Sequence, residues 1–195
     1  MLKRLFPLVV CFGLATVSLG AAGQELTRYP TEIADFAQWE KFPAECAGYR
    51  RATIRAYAPA LTDYSVAYQS YGGTLQNAVT LFFYPRLKDT SVQLRAEESE
   101  VLNAHQDAYV ANRRAITLES QGKKYDASLI TFEFADTVAG LRQKLSSQLL
   151  IVFLEKGTFK VRSTSPAEQG AAAEAGLREL LQCVAWSSAL TKADL

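Results

Sequence analysis

Two strand-like runs joined by a glycine pair set the frame into which the rest of the chain must fit. In the run from Tyr64 to Gln69, Tyr64, Val66 and Tyr68 fall on one side of an extended chain. Gly72-Gly73 follows and tolerates the positive φ that a tight turn requires. The run from Ala78 to Tyr84 is almost wholly apolar and aromatic, as in a strand buried on both faces, and Pro85 stops it. Strand, turn and strand make a β-hairpin, so an antiparallel sheet lies at the centre of the fold.

More strand text flanks this hairpin. Between Tyr49 and Tyr57, Ala52, Ile54 and Ala56 alternate with Arg51, Thr53, Arg55 and Tyr57, and Pro59 closes the run. Ala115 to Glu119 turns at Gly122 and returns from Tyr125 to Phe134. Leu149 to Leu154 turns through Glu155-Lys156-Gly157 into Thr158 to Arg162. Connections this short imply antiparallel pairing.

Helical text punctuates the strands. Thr31 caps a predicted short helix reaching Glu40, with Ile33, Phe36 and Trp39 on one side, and Phe42-Pro43 ends it. Thr90 and Gln93 form a capping box that opens a long helix ending near Asn112, with Leu94, Val101, Ala104 and Ala108 as its apolar stripe. Asp136 to Lys144 reads as a loop or a short helix. Ser165, Pro166 and Glu168 give the start of a terminal helix that buries Leu177, Leu180, Leu181 and Val184. The expected class is α+β: a twisted antiparallel sheet of six to seven strands covered by a long central helix and a C-terminal helix.

This order of elements is similar to the Mog1/PsbP-like α/β/α sandwich, and the chain also resembles a set of uncharacterised bacterial secreted proteins. The phrases that carry the likeness are Phe42-Pro43, Gly48-Tyr49-Arg50-Arg51, Asp63-Tyr64-Ser65-Val66-Ala67-Tyr68, Phe83-Tyr84-Pro85 and Phe159-Lys160-Val161-Arg162. The resemblance implies a sandwich fold of the kind found in GTPase-binding proteins, photosystem subunits and secretion chaperones. It implies no common catalytic set.

The first residues read as a leader. Lys3 and Arg4 precede an apolar run from Leu5 to Leu19, then small residues Gly20-Ala21-Ala22-Gly23 and the polar pair Gln24-Glu25. The run is shorter than the ~20 residues of a membrane span and contains Pro7 and Gly13, so a signal peptide over 1–23 is expected ahead of a single domain over 24–195. An N-terminal membrane anchor is the alternative. Cleavage leaves 172 residues with 19 basic and 20 acidic side chains, and it removes Cys11, leaving Cys46 and Cys183. The expected location is secreted, or periplasmic where the host has an outer membrane, with no transmembrane span after cleavage.

Several chemistries lack their residues. His105 is the only histidine, set among polar residues in Ala104-His105-Gln106-Asp107, where it reads as a half-exposed surface side chain rather than a base for a Ser or Cys nucleophile. No two of Cys46, Cys183 and His105 lie at metal-ligand spacing, so neither metal nor cofactor is expected. Glu97, Glu98 and Glu100 read as the solvated side of a helix. No phosphate-loop motif is present. Arg50, Arg51, Arg55 and Arg162 among many tyrosines suggest a basic, aromatic sheet face, yet a net charge of −1 after cleavage speaks against nucleic acid.

What remains is a tyrosine- and arginine-rich segment, with Arg51, Arg55, Tyr57, Tyr64, Tyr68 and Tyr84 as the candidate ligand or partner face. Packing by tyrosines of high strand propensity is the competing reading. On these residues the chain reads as a non-enzymatic binding or accessory protein for an unknown protein or small ligand of the cell envelope. The alternative is an envelope enzyme with a dispersed carboxylate or Tyr/Arg site. Export and the even cysteine count make a Cys46–Cys183 disulfide one expectation, and two small buried thiols the other. Mass analysis of the exported protein should find a chain beginning at Gln24, after cleavage at Gly23, or one residue earlier at Gly23. Soluble cytoplasmic protein retaining Met1 would refute the leader.

Overall fold

A computed structural model of the chain describes residues 31–32, 39–58, 61–138 and 140–189. In chain order the strands are β1 (Thr31–Glu32), β2 (Glu45–Cys46), β3 (Tyr49–Ala56), β4 (Tyr64–Ser70) and β5 (Ala78–Tyr84). Helix α1 (Thr90–Ala104) follows, then β6 (Tyr109–Ser120), β7 (Lys123–Val138), β8 (Leu141–Leu154), β9 (Gly157–Pro166) and helix α2 (Gly170–Cys183). The strands form one sheet in the order β1-β3-β4-β5-β9-β8-β7-β6, with β2 also paired to β3, and every pairing is antiparallel.

The central hairpin forms as the sequence indicates. β4 and β5 pair from Tyr64 opposite Phe83 to Gln69 opposite Ala78, and Gly72 adopts φ +75° in the turn. β9 then joins two blocks of strands. It pairs with β5 on one side, Leu81 opposite Val161, and with β8 on the other, Leu150 opposite Val161.

Alternation divides the core between two faces. On one, Tyr64, Val66, Leu81, Phe83, Phe159 and Val161 lie under Leu177, Leu180 and Leu181 of α2 and under Trp186. Trp186 is fully buried and stacks on Phe159 at 4.7 Å, while Tyr64 stacks on Phe83 at 4.8 Å. On the other face, Ile130, Phe132, Phe134, Leu149 and Ile151 surround Val101 of α1. Both layers therefore use the same strands, which explains the continuous apolar text of Leu149–Leu154.

The sheet dominates, and this corrects the expected fold class. Nine strands among the described residues replace the expected six to seven, and α1 is too short to be the long central helix of a Mog1/PsbP-like sandwich covering the sheet. The expected helix to Asn112 stops at Ala104, and β6 begins at Tyr109. β6 is an edge strand whose only buried side chains are Leu118 and Ser120, so little apolar alternation marks it. Backbone pairing with β7 decides its conformation. The expected loop or helix at 136–144 is the end of the β7–β8 hairpin, where Val138 pairs with Leu141 around Gly140 at φ +83°.

The helix starts also move. Asp89, not Thr90, caps α1, with its carboxylate accepting from the Ser91 and Val92 N–H groups. Ser165 and Pro166 end β9 instead of opening a helix, because Pro166 and Ser165 lie opposite Leu145 and Ser146 of β8. A 3₁₀ turn at Ala167–Gln169 intervenes before α2. Of the expected first helix, Thr31–Glu32 is strand and Trp39–Lys41 a 3₁₀ turn, while 33–38 lie outside the described residues, as do the leader and its cleavage zone.

Cys46 on β2 and Cys183 at the end of α2 stand at disulfide distance, with Cα atoms 6.3 Å apart across 137 residues of chain. The Ala185 N–H donates to the Lys41 carbonyl beside them, and the Lys41 ammonium donates to the Ser188 carbonyl. A bond here ties the segment before β3 to the end of the fold. Thiol titration of the unfolded exported protein should find no free thiol. Cys183→Ser should lower unfolding free energy by about 2–5 kcal/mol in denaturant titrations.

Candidate functional site

The six residues of the expected face divide between the two sides of the sheet. Tyr64 and Tyr68 point to the α2 side and are almost fully buried. The Tyr64 hydroxyl donates to the Ala189 carbonyl and the Tyr68 hydroxyl to the Pro43 carbonyl. Burial raises the pKa of both phenols. Arg51 lies opposite Tyr68 and donates to the Phe42 carbonyl. These three hold the segment before β3 and the residues just after α2 against the sheet.

Arg55, Tyr57 and Tyr84 occupy the opposite side, the one carrying α1. Arg55 is opposite Ser65 on β4, and Phe82 lies beyond Ser65 on β5. The Tyr57 hydroxyl shares a 3.2 Å hydrogen bond with the hydroxyl of Ser65, and its ring is 36% exposed. Arg55 is exposed and forms no ion pair with another described residue. Among the described residues α1 packs over β8 and its neighbours and does not reach the β3–β4 end of this face.

Under α1 lies a cluster that the sequence reading missed. Lys160 of β9 pairs with the carboxylate of Glu97 at 2.6 Å and that of Glu100 at 3.3 Å, and its ammonium lies 4.6 Å from the centre of the Phe82 ring. The Tyr84 hydroxyl donates to Glu97, and Gln93 donates to the Thr158 hydroxyl. The side chains of Lys160 and Glu97 are only 10% and 12% exposed. Burial, then the hydrogen bond to Glu97, pushes the Tyr84 phenol far up. Glu97 is therefore not the solvated charge its helix suggested. The signal was present: Lys160 and Arg162 alternate with Phe159 and Val161, and Gln93, Glu97, Glu100 and Val101 share one helical face.

Next along β9, Arg162 donates to the Ser147 hydroxyl at 3.1 Å, and Ser147 is bonded in turn to Thr164. Arg162 Nε is buried with no partner among the described residues. His105, read as half-exposed, stacks on Phe134 at 3.8 Å with its side chain 14% exposed. Burial lowers its pKa, against a smaller opposing effect of Asp136 at 3.6 Å.

On the α2 side a cleft of about 370 Å³ lies between the β3 and β4 turns and α2, lined by Tyr49, Tyr71, Leu75, Gly176 and Glu179 among others. Gly176 is required there, because a Cβ would meet the Tyr49 hydroxyl at 2.8 Å. That hydroxyl accepts from Asn77, which accepts from Ser163, so Tyr49 belongs to a buried polar chain. Neither Arg51 nor Arg55 lines the cleft. Among the described residues no group of three or more His, Cys, Asp or Glu side chains is placed to hold a metal ion. No described helix is long and apolar enough to cross a membrane. No protein-family model matches the chain, and no curated protein matches it.

The Lys160–Glu97 pair anchors α1 to the sheet. Lys160→Met leaves a buried carboxylate without its counter-charge and should cost about 3–5 kcal/mol in equilibrium unfolding. Adding Glu97→Gln to that variant should recover most of the loss. Independent, additive losses would disprove the coupling.

Proposed function

We propose that the protein is an exported binding or accessory protein without catalytic activity, which meets a protein partner in the cell envelope through the Arg55–Tyr57 end of its α1-side sheet face. One observation carries the reading. Of the six arginine and tyrosine residues, Arg51, Tyr64 and Tyr68 are committed to internal carbonyls, whereas Arg55 at the end of β3 and Tyr57 just after it stay accessible. An exposed guanidinium next to a partly exposed phenol ring is a contact chemistry enriched at protein interfaces. A flat sheet surface suits a macromolecular partner better than a small molecule, which is usually held in a concave site.

Export is supported by the order of charge, apolar run and small residues at the start of the chain, and by the cysteine pair at disulfide distance. The competing reading, an envelope enzyme, draws on the carboxylate, phenol and ammonium gathered at Glu97, Tyr84 and Lys160. Those groups are shielded and satisfied by one another, which favours a structural role.

Affinity capture from the native envelope, run in parallel with wild-type protein and with Arg55→Glu/Tyr57→Ala, tests the proposal. Both sites are accessible, so the variant should keep its unfolding midpoint and lose the captured partner by about tenfold or more, as for truncated interface anchors. Equal capture by both proteins, or turnover in activity screens that Glu97→Gln abolishes, would overturn it.

A further inference from the structure

The two edges of the sheet are treated differently. At one edge β3 is covered by β1 and β2, and a register shift between Arg51 and Thr53 distorts its ladder. At the other, β6 pairs with β7 on one side and with no strand on its outer side among the described residues. A long free edge invites another strand, and folded proteins usually blunt it by shortening, bulging or charging it.

β6 has one such device, a register shift between Val110 and Asn112. Beyond it the ladder runs without interruption from Asn112 to Ser120, opposite Thr131 to Lys123, for about 30 Å of regular strand. The two arginines in this run do not guard the edge. Arg113 is held on one face by Glu98 of α1, and Arg114 on the other by Glu174 of α2 at 2.7 Å. Both guanidiniums sit on the faces of the sheet, with the Arg113 side chain still 59% exposed beside Glu98, and no described strand pairs with the outer backbone groups of β6.

Symmetry selects the partner. When two antiparallel copies of a strand pair about a twofold axis, the axis passes through one residue, and each residue faces the one equally far on the other side. An axis at Arg113 or Arg114 sets arginine against arginine, a destabilising opposition. The centre of the regular run is Ile116. An axis there pairs Asn112 with Ser120, Arg113 with Glu119, Arg114 with Leu118 and Ala115 with Thr117, each twice over. It also brings the two partly buried Ile116 side chains together. The register that uses the whole regular run is thus the one that matches opposite charges.

We propose that β6 is a self-association edge: two copies of this chain pair antiparallel through Asn112–Ser120 about a twofold axis at Ile116, joining their sheets into one. The occupant is a second copy because the run complements itself in charge. The surface is independent of the Arg55–Tyr57 patch, which lies toward the opposite edge of the sheet, so either proposal can fail alone.

Sedimentation velocity of the isolated full chain over a concentration series tests this. The wild type should sediment as a concentration-dependent dimer. Glu119→Arg, which sets Arg113 against arginine at both ends, should raise the dissociation constant about tenfold, and Glu98→Gln/Arg113→Glu/Glu119→Arg, in which the reversed residue 113 no longer meets the Glu98 carboxylate, should bring it back near the wild-type value. Glu119 is exposed, so circular dichroism of that variant should match the wild type. A wild type that remains monomeric at the highest soluble concentration overturns the proposal. So does a dimer indifferent to Glu119→Arg, or one that the charge-reversed pair fails to restore.

Discussion

β9 lies between β5 and β8, and its alternation governs both layers of the molecule. Phe159, Val161 and Ser163 face α2 and Trp186; Thr158, Lys160, Arg162 and Thr164 face α1. The first set builds an apolar core. The second sends two cations into a region that α1 closes, and buried charge is tolerated only with its partner in place. The consequence is visible in α1: Glu97 points inward to Lys160, Glu100 meets it from the exposed rim, Gln93 reaches Thr158, and Val101 alone among the helix residues is a buried apolar contact. α1 is docked largely by ion pairing and hydrogen bonds, α2 by Leu177, Leu180 and Leu181.

The same polarity explains the two ends of the fold. The segment before β3 and the residues after α2 are brought together by Cys46 and Cys183, by the Lys41–Ser188 contact, and by Tyr64 reaching Ala189. Tyrosines that suggest a binding surface in the sequence are used as long levers that join sheet to chain ends. A phenol suits this role because its ring packs in the apolar layer while its hydroxyl satisfies an internal carbonyl.

Those levers also show why the candidate face was only partly legible. Tyr64 and Tyr68 are four residues apart on one strand and share a face, which the sequence indicates. Arg51 and Arg55 alternate onto one face in the sequence, yet the register shift between Arg51 and Thr53 places Arg51 with Tyr68 and Arg55 with Ser65 on the other side. A bulge changes the parity of a strand, and its position depends on the neighbouring strand. Lys160 was overlooked for a related reason. Its partners lie 60 and 63 residues earlier on a helix, and their pairing exists only once α1 packs on β9.

Local chemistry in the sequence determined the hairpin of β4 and β5, the turn at Gly72, the strand character of β3, β8 and β9, and the apolar stripe of α2. Alternation, turn residues and helical spacing act over a few neighbours and need no distant contact. The tertiary structure decided the rest. The end of α1 at Ala104 and the length of β6 depend on the β7 ladder; the run of β9 through Pro166 depends on β8. Backbone hydrogen bonds between strands hold polar or exposed segments extended whatever their side-chain pattern, so the sheet outgrew what its apolar text could show.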